Sequence, residues 1–350
     1  MRLVLIGDAL SPHLLKWARA LAPHVDLWAA SSRGFAPEFS FLIPKNQMLA
    51  LNTAPEHGGG NVALLKQLPK LGAWLAEVNA DWLHAHYLTS HGTLAWAAKA
   101  GWRLRAQIAG SAWGSDILVT PNLGFAYHWL TRKVLSACTF CTSDSQHMSA
   151  RMNELGAREV MTFPFGLEQM PELGANKQPW LFFANRGLEP IYRPQRVIEA
   201  FAAVAAQQPA ARVVVANDGS LRAALGEQVK ALGLAEQVAF VGRLHPLIQA
   251  GYYARARWYL SLPESDSVAV SVLEAMAHQC VPILSDLPAN HELIDAQRGV
   301  IVQDDFADLP AQMAAIDAEA AGAANRAWVA EHALFPPAVQ QFLQRLGELS

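Results

Sequence analysis

The chain contains little charge and little cysteine. Charged residues make up 16% of its 350 residues, hydrophobic residues make up 52%, and the formal net charge is -3. Such a composition excludes an intrinsically disordered chain, and it gives no reason to expect a nucleic-acid partner. Its length exceeds one usual hydrophobic core, which indicates two domains.

The cysteines are too few for a disulfide framework, and they number three: Cys138, Cys141 and Cys280. This count favours a reducing cytoplasm. Cys138 and Cys141 form one isolated C-x-x-C, and no second pair or histidine motif accompanies it. We therefore expect buried small apolar side chains there rather than a metal or redox site.

Long apolar segments are also missing. The opening MRLVLIG is shorter than a signal-peptide core, and no apolar run reaches the length needed to cross a bilayer. These observations predict a cytoplasmic protein. Residues 1–165 carry a net charge of +4 and the remainder carries -7. The basic half could face anionic lipid head groups at the cytoplasmic membrane surface or a phosphate-bearing acceptor, and scattered surface charge is the alternative.

Strand and helix patterns alternate twice along the chain. Strand patterns occupy residues 3–6, 25–29, 82–86, 105–108, 140–143 and 161–164, and again 180–184, 212–216, 238–242, 258–261, 281–285 and 299–302. Helical patterns lie between many of them. The sequence therefore predicts an α/β protein with two doubly wound, Rossmann-like sheets.

One carboxylate stands out within the second set. The segment 258–286, WYLSLPESDSVAVSVLEAMAHQCVPILSD, places Glu274 inside an almost wholly apolar helical run. An ionised group there needs a partner, which could be a ligand. A helix running from Asp266 to Glu274 would separate the two carboxylates by roughly 12 Å, about the length of an elongated nucleotide diphosphate sugar.

The same segment resembles the donor-site signature of retaining GT-B glycosyltransferases, particularly glycosyltransferase family 4. That signature has two glutamates seven residues apart and ends in Glu-Ala-Met-Ala; here it becomes Asp266, seven residues, then 274–277. The resemblance implies two domains facing across a cleft: an acceptor-binding domain at 1–167, a donor-binding domain at 168–336, and a final helix at 337–350 packing back on the first. It also implies that Glu274 holds the ribose hydroxyls and Asp266 the transferred sugar.

Further residues of the second domain fall into the implied donor site. Arg186 follows a strand, where its guanidinium could clamp a diphosphate. Where the family often has lysine five residues later this chain has Ile191, and Arg193 is the nearest basic substitute. The remaining candidate donor contacts are Gly219, Gly242, Val268, Ala269, Val270 and Ser271. Ordinary turn chemistry is the alternative explanation for Gly219.

Candidate residues of the first domain lie on the acceptor side. By resemblance, a His-Gly-x-Asp loop should contact the transferring sugar, but Trp113 stands at its histidine position, and tryptophan cannot relay a proton. Asp116 keeps the carboxylate, and His86 is the best remaining imidazole, with a core histidine as the alternative. His13, in the first strand–helix turn, is a further acceptor-side candidate.

The resemblance implies a hexosyltransferase that uses a UDP- or GDP-linked sugar and a glycan or lipid-linked acceptor, in bacterial surface polysaccharide or lipopolysaccharide synthesis. No Asp-x-Asp motif lies at a plausible strand end, so we expect no metal cofactor. The expected catalytic residues are Asp266, Arg186, Asp116 and His86. Two alternatives stay open: a sugar-nucleotide 2-epimerase of the same fold, and a non-catalytic two-domain sugar-binding module.

Overall fold

The computed structural model describes residues 1–53, 62–174, 176–303 and 305–350. The described residues form two compact units. Unit 1 comprises Met1–Phe163 and Pro336–Ser350, and unit 2 comprises Pro164–Phe335.

Unit 1 is built on a sheet of seven parallel strands in the order β3-β2-β1-β4-β5-β6-β7. The strands β1 to β7 are Arg2–Gly7, Asp26–Ser31, Met48–Ala50, Trp82–His86, Gln107–Ser111, Phe140–Ser143 and Val160–Thr162. The strand order reverses direction between β1 and β4. In open α/β sheets, the carboxyl ends of strands at such a point leave a crevice that binds ligands.

Seven helices accompany this sheet in the described part of the chain before residue 164. The helices α1 to α7 are Pro12–Leu21, Val62–Leu65, Leu68–Val78, Thr93–Trp102, Ser115–Leu118, Phe125–Ala137 and Gln146–Glu154. Local sequence fixes several starts. The Ser11 hydroxyl accepts a hydrogen bond from the His13 N–H, and Pro12 occupies the first turn of α1. Ser145 caps α7 in the same way, through the N–H of Met148.

Unit 2 is built on six parallel strands in the order β10-β9-β8-β11-β12-β13. The strands β8 to β13 are Gln178–Ala184, Arg212–Ala216, Val238–Gly242, Ala256–Ser261, Val281–Ser285 and Val300–Val302. Here the order reverses between β8 and β11. The helices α8 to α15 are Pro194–Ala205, Arg222–Ala231, Pro246–Arg255, Val270–Ala277, Pro288–Leu293, Leu309–Ala314, Ala318–His332 and Phe335–Glu348.

The last helix, α15, places most of its residues in unit 1. The ring of Phe342 lies 5.0 Å from that of Trp17 and 4.6 Å from that of His84, measured between centroids. Arg345 pairs with Glu159 at 2.6 Å. Through these contacts α15 covers the His84 side of strand β4, and Phe342 is fully buried there.

The two doubly wound sheets confirm the predicted fold class, and five predicted strands coincide with the observed bounds. The patterns leave out one strand. Strand β3, Met48–Ala50, is not predicted because three half-buried residues show no clear alternation. The separation of roughly 12 Å considered for Asp266 and Glu274 does not apply, because the helix begins only at Val270, after Ala269, which is extended and acts as its N-cap.

Candidate active site

The carboxyl end of β8 in unit 2 brings an arginine to a carboxylate. Arg186 follows β8 after Asn185, and its Nη2 donates to Oδ2 of Asp266 at 2.5 Å. Its Nη1 donates to Oγ of Ser271, in the first turn of α11, at 3.3 Å. The guanidinium also lies over the Tyr192 ring, 4.6 Å from the centroid. Three sequence-predicted donor residues therefore meet at one point beside the strand reversal.

Both charges of this pair are largely out of water. The side chain of Arg186 is 18% exposed and that of Asp266 is 19% exposed. Burial raises the pKa of Asp266, and the Arg186 guanidinium partly offsets that shift. Burial is the largest influence on the pKa of Arg186 and lowers it, but Asp266 together with nearby tyrosines raises that pKa, and the net direction is upward. The pair thus holds a guanidinium, which can bind a phosphate through parallel hydrogen bonds, at the carboxyl end of the sheet.

The segment from Val268 to Ser271 forms the start of α11 and not its interior. Val268 and Ala269 are buried, whereas Val270 and Ser271 are half-buried. The N–H groups of Val272 and Leu273 bond to the carbonyl of Ala269, so the N–H groups before them have no acceptor inside the helix. A helix start of this kind favours a negatively charged ligand.

Glu274 has a partner within unit 2. Its Oε2 accepts a hydrogen bond from the Tyr253 hydroxyl at 2.9 Å and a longer one from Gln249 at 3.4 Å. The Tyr253 oxygen in turn accepts from the amide of Asn185 at 2.8 Å, and the Tyr259 hydroxyl donates to that amide's oxygen at 2.6 Å. This chain of bonds positions the half-buried carboxylate and explains how an apolar helix tolerates it.

Sequence reasoning missed three members of that chain: Asn185, Tyr253 and Tyr259. Burial raises the pKa of Tyr253 well above its usual value, with Tyr259 and Glu274 adding to the effect. Burial also raises the pKa of Tyr259, although Arg186 opposes this. The available signal was the need of Glu274 for a buried donor, but nothing in the sequence indicated which tyrosine supplies it.

The two candidate glycines of the donor site play different structural parts. A Cβ on Gly219 would lie 2.4 Å from the Leu188 carbonyl oxygen, so glycine is required for the loop after β9 to pack against the loop after β8. Gly242 has a φ of +70° at the end of β10, and a Cβ there would meet no atom within 4 Å. The backbone at Gly242 is thus open to an approaching ligand, whereas Gly219 is used for packing.

Arg193 pairs with a different carboxylate from the one that binds Arg186. Its guanidinium bonds to Glu264 at 3.0 Å, and both side chains are exposed. The two residues line a cavity of about 790 Å³ at the carboxyl ends of β11, β12 and β13. Arg186, Asp266 and Glu274 are not among the residues that line it. The structure therefore gives Arg193 a carboxylate partner of its own, Glu264, and places both in the lining of a cavity that the Arg186 pair does not share.

In unit 1, His86 ends β4 at the strand reversal and is 4% exposed. Within the described ranges, neither of its ring nitrogens has a hydrogen-bond partner. Burial lowers its pKa well below the usual value, and His84, His91 and His13 lower it further. His86 is therefore a neutral imidazole at neutral pH with two unused polar atoms. His84, two residues earlier in β4, bonds to the Ser111 hydroxyl at 2.8 Å and belongs to the core.

The other unit 1 candidates surround His86. The Trp113 ring lies 5.9 Å from that of His86 and 4.7 Å from that of His13. Asp116 is fully buried, and its oxygens accept from the backbone N–H groups of Leu88 and Trp113 at 2.7 and 2.9 Å. The structure thus gathers three rings, and it gives Asp116 the geometry of a group that positions two loops.

Three further observations concern the cysteines, metal ligands and helix length. All three cysteines are free and buried. Across the described residues, no group of three or more His, Cys, Asp or Glu side chains has an arrangement suited to a metal ion. No helix in the described ranges is long and apolar enough to cross a membrane.

Comparison with family models decides the family. Residues 2–145 match the model described as "Glycosyl transferase 4-like", and residues 167–316 match "Glycosyl transferases group 1". Together the two matches take in most of the chain. The chain belongs to the GT-B glycosyltransferases. For this GT-B glycosyltransferase, Arg186, Asp266 and Glu274 all fall within the second match.

Solved structures agree on the fold. HepE of Anabaena, crystallised with UDP, superposes with a TM-score of 0.76 at 16% identity and covers 99% of this chain and 100% of that chain. Sucrose-phosphate synthase from Thermosynechococcus elongatus gives a TM-score of 0.76 at 16% identity and covers 100% of both. At these identities the likeness establishes the GT-B fold alone.

One curated relative shares sequence over a shorter stretch. It is the alpha-monoglucosyldiacylglycerol synthase of Streptococcus pneumoniae, which is 32% identical over 100 residues. The match takes in 29% of this chain and 23% of that protein, so less than a quarter of the relative's length is represented.

Proposed function

We propose that this chain is a retaining glycosyltransferase of family 4 that moves a sugar from a nucleotide diphosphate donor to a hydroxyl of a glycan or glycolipid acceptor. The observation that supports it most is the meeting of Arg186, Asp266 and Ser271 beside the start of α11. A permanent cation and free helix N–H groups at one place suit a diphosphate that leaves as an anion.

In this proposal each donor residue has a chemical task. Arg186 and the backbone from Val268 to Ser271 bind the diphosphate and neutralise the charge that develops on it. Glu274, held by the Tyr253 hydroxyl, accepts hydrogen bonds from the ribose. Asp266 accepts hydrogen bonds from hydroxyls of the transferred sugar. Gly242 offers open backbone to the base.

The residues of unit 1 serve the acceptor and the reacting carbon. Trp113 and His13 present ring faces on which a sugar can stack. His86 is neutral and has two ring nitrogens without a protein partner among the described residues, so it can hydrogen-bond a hydroxyl. Asp116 positions the loops that carry these groups. Retention would follow from attack on the face that the diphosphate leaves, with catalysis resting on positioning and charge.

The comparisons support the choice of substrates without fixing them. HepE has been crystallised with UDP and with UDP-glucose, and the pneumococcal relative is named for a glucosyl lipid. We therefore propose a UDP-linked donor, with GDP-linked sugars as the second choice. A lipid-linked or surface-polysaccharide acceptor at the cytoplasmic face of the membrane is proposed on the same ground, and no metal is required.

The test is a panel of nucleotide sugars with the wild-type chain, followed by mass spectrometry and proton NMR. Slow release of free sugar, first detected in the anomeric configuration of the donor, indicates a retaining transferase, and EDTA should leave the rate unchanged. An isomerised donor would support an epimerase instead. Binding without any conversion would support a non-catalytic module.

Two variants assign the site. Arg186→Ala should weaken nucleotide diphosphate binding by roughly 10- to 100-fold, because it removes charge-assisted hydrogen bonds. Glu274→Gln keeps an oxygen for Tyr253 and should lower donor affinity while leaving the fold intact. Arg212→Ala is the matched control. Arg212 begins strand β9, at the amino end of the sheet and away from the carboxyl ends that carry the site, so this variant should bind the donor as wild type does. Full donor turnover by both site variants would contradict the proposal.

A further inference from the structure

Helix α6 of unit 1 exposes large apolar side chains to water. Phe125 is 84% exposed, Trp129 is 47% exposed, and Leu123, just before the helix, is 54% exposed. We call these three residues, with Arg132 and Lys133, the α6 face. Side chains of this size are normally buried, so their exposure at neighbouring positions marks a contact surface.

The helical repeat explains why these side chains share one side. Counted from Phe125, the side chains of Trp129, Arg132 and Lys133 come four, seven and eight residues later. This spacing places all four on one stripe of α6. The opposite stripe, with Val134 and Leu135, is buried in the unit 1 core. The α6 face thus carries both apolar and charged side chains, with the aromatic rings towards the start of the helix and the cations towards its end.

Charge along the part of the sequence that carries the face has one sign. From residue 82 to residue 143 the sequence contains five basic residues, Lys99, Arg103, Arg105, Arg132 and Lys133, and one acidic residue. That acid is Asp116, which is fully buried. Every exposed charge of this stretch is therefore positive. The exposed carboxylate of Glu154, from the following helix, is paired at 2.9 Å with Arg151, which bonds to Asn122 beside Leu123. Lys133 also places its ammonium over the Trp129 ring, 5.7 Å from the centroid.

We propose that the α6 face docks unit 1 onto an anionic lipid bilayer. Exposed Phe, Trp and Leu side chains can enter the boundary between head groups and acyl chains, and tryptophan prefers that boundary because its ring is apolar and its N–H is polar. Flanking Arg and Lys are attracted by anionic head groups. An anionic bilayer favours apolar side chains flanked by cations in a stretch of chain whose exposed charges are all positive, whereas a protein partner would not require that bias.

This inference is independent of the proposed donor chemistry. Vesicle binding needs no nucleotide, and the α6 face includes none of the residues assigned to donor or acceptor. A failure of one proposal therefore leaves the other standing. If both hold, the bilayer would bring unit 1 close to a lipid-linked acceptor.

The test is co-sedimentation of the full chain with vesicles of phosphatidylcholine, with and without phosphatidylglycerol, at about 0.1 M salt. The wild type should bind only the anionic vesicles, and binding should weaken as salt rises. Phe125→Ser combined with Trp129→Ser should lower the partition coefficient at least about tenfold. Arg132→Glu combined with Lys133→Glu should lower it at least about 25-fold, because each basic residue near the surface contributes about fivefold.

Matched controls locate the contact. Phe41 is 86% exposed and lies near Glu38, so Phe41→Ser should bind vesicles as wild type. Lys230→Glu, in unit 2, should do the same. Because the native cysteines are buried, an environment-sensitive dye on Phe125→Cys should shift to the blue with anionic vesicles, whereas a dye on Phe41→Cys should not.

Several results would overturn the proposal. These are no binding of the wild type to phosphatidylglycerol vesicles, equal loss from Phe41→Ser, or unchanged binding by the two α6 double variants. Wild-type self-association that the Phe125 and Trp129 changes abolish, without vesicle binding, would assign the face to a second copy of the chain. Thermal unfolding of the double variants should match that of the wild type, which shows that they fold.

Discussion

Asp116 offers the most quantitative test of the unit 1 structure. The carboxylate is fully buried, and it accepts hydrogen bonds from the N–H groups of Leu88 and Trp113. Burial raises its pKa from 3.8 to about 6, even though those N–H groups act in the opposite direction. The folded state therefore holds a proton on Asp116 at a pH where the unfolded chain has released it.

The sign of the resulting pH dependence follows from linkage. A group with a raised pKa contributes fully to stability below its unfolded pKa, and this contribution is lost as the pH rises through the folded value. With one pKa unit equal to about 1.36 kcal/mol, the loss is about 1 kcal/mol at pH 4.5 and about 3 kcal/mol at pH 7.5. Asp116 should thus lower the free energy of unfolding by about 2 kcal/mol between these two pH values.

The substitution Asp116→Asn removes this titration. Asparagine keeps one acceptor oxygen but turns an NH₂ group towards the second backbone N–H, which costs about 1–3 kcal/mol at every pH. The informative quantity is therefore the change with pH. The difference in unfolding free energy between variant and wild type should move by about 2 kcal/mol in favour of the variant from pH 4.5 to pH 7.5.

Urea unfolding at the two pH values measures this difference. Hydrogen exchange of the amides of β4 and β5, read by mass spectrometry, separates the unfolding of unit 1 from that of unit 2. Other titrating groups are common to both proteins and cancel. A difference that stays the same at both pH values would refute the raised pKa, and with it the inference that Asp116 is sealed from water.

Three further substitutions test local packing. Tyr253→Phe removes the hydroxyl that positions Glu274, and should cost about 1–3 kcal/mol of stability and weaken nucleotide diphosphate binding in calorimetry. Gly72→Ala would place a Cβ 2.4 Å from the Trp102 ring, so thermal unfolding should show a loss of about 1–3 kcal/mol instead of the usual gain from alanine in a helix. Ser145→Ala removes the N-cap of α7 and should cost about 1 kcal/mol in urea unfolding.

Much of the fold could be predicted from the sequence because buried parallel strands form nearly continuous apolar runs. Strands such as Phe140–Ser143 and Val281–Ser285 therefore coincide with their patterns. The β5 strand did not, since the pattern indicates 105–108 and the structure has Gln107–Ser111. The polar Ser111 belongs to the strand because its backbone pairs in register with His86 and Thr142. Its hydroxyl is buried there with a partner, the Thr142 hydroxyl, which a pattern of hydrophobicity does not show.

The charged members of the candidate site could be predicted one by one, but not how they pair. Arg186 and Asp266 are 80 positions apart in sequence, and only the neighbouring strands β8 and β11 bring them together. The helix considered from Asp266 to Glu274 begins only at Val270, because Ala269 is extended. The carboxylate of Asp266 therefore lies in a loop, where it accepts a hydrogen bond from Arg186.

That pairing has a consequence for ligand binding. In the structure the Arg186 guanidinium already donates to Asp266 and Ser271, so a diphosphate must share it or take a bond from one of them. If the diphosphate takes the place of Asp266 on the guanidinium, the largely buried Asp266 carboxylate is left beside an anion without its donor. That arrangement is unfavourable unless hydroxyl groups replace the lost donor. A sugar attached to the diphosphate supplies such hydroxyls, whereas a nucleotide diphosphate without sugar does not. Asp266→Asn should therefore tighten the binding of a bare nucleotide diphosphate relative to its sugar conjugate, and calorimetry with the two ligands measures that ratio. An unchanged ratio would mean that Asp266 only holds Arg186 in place.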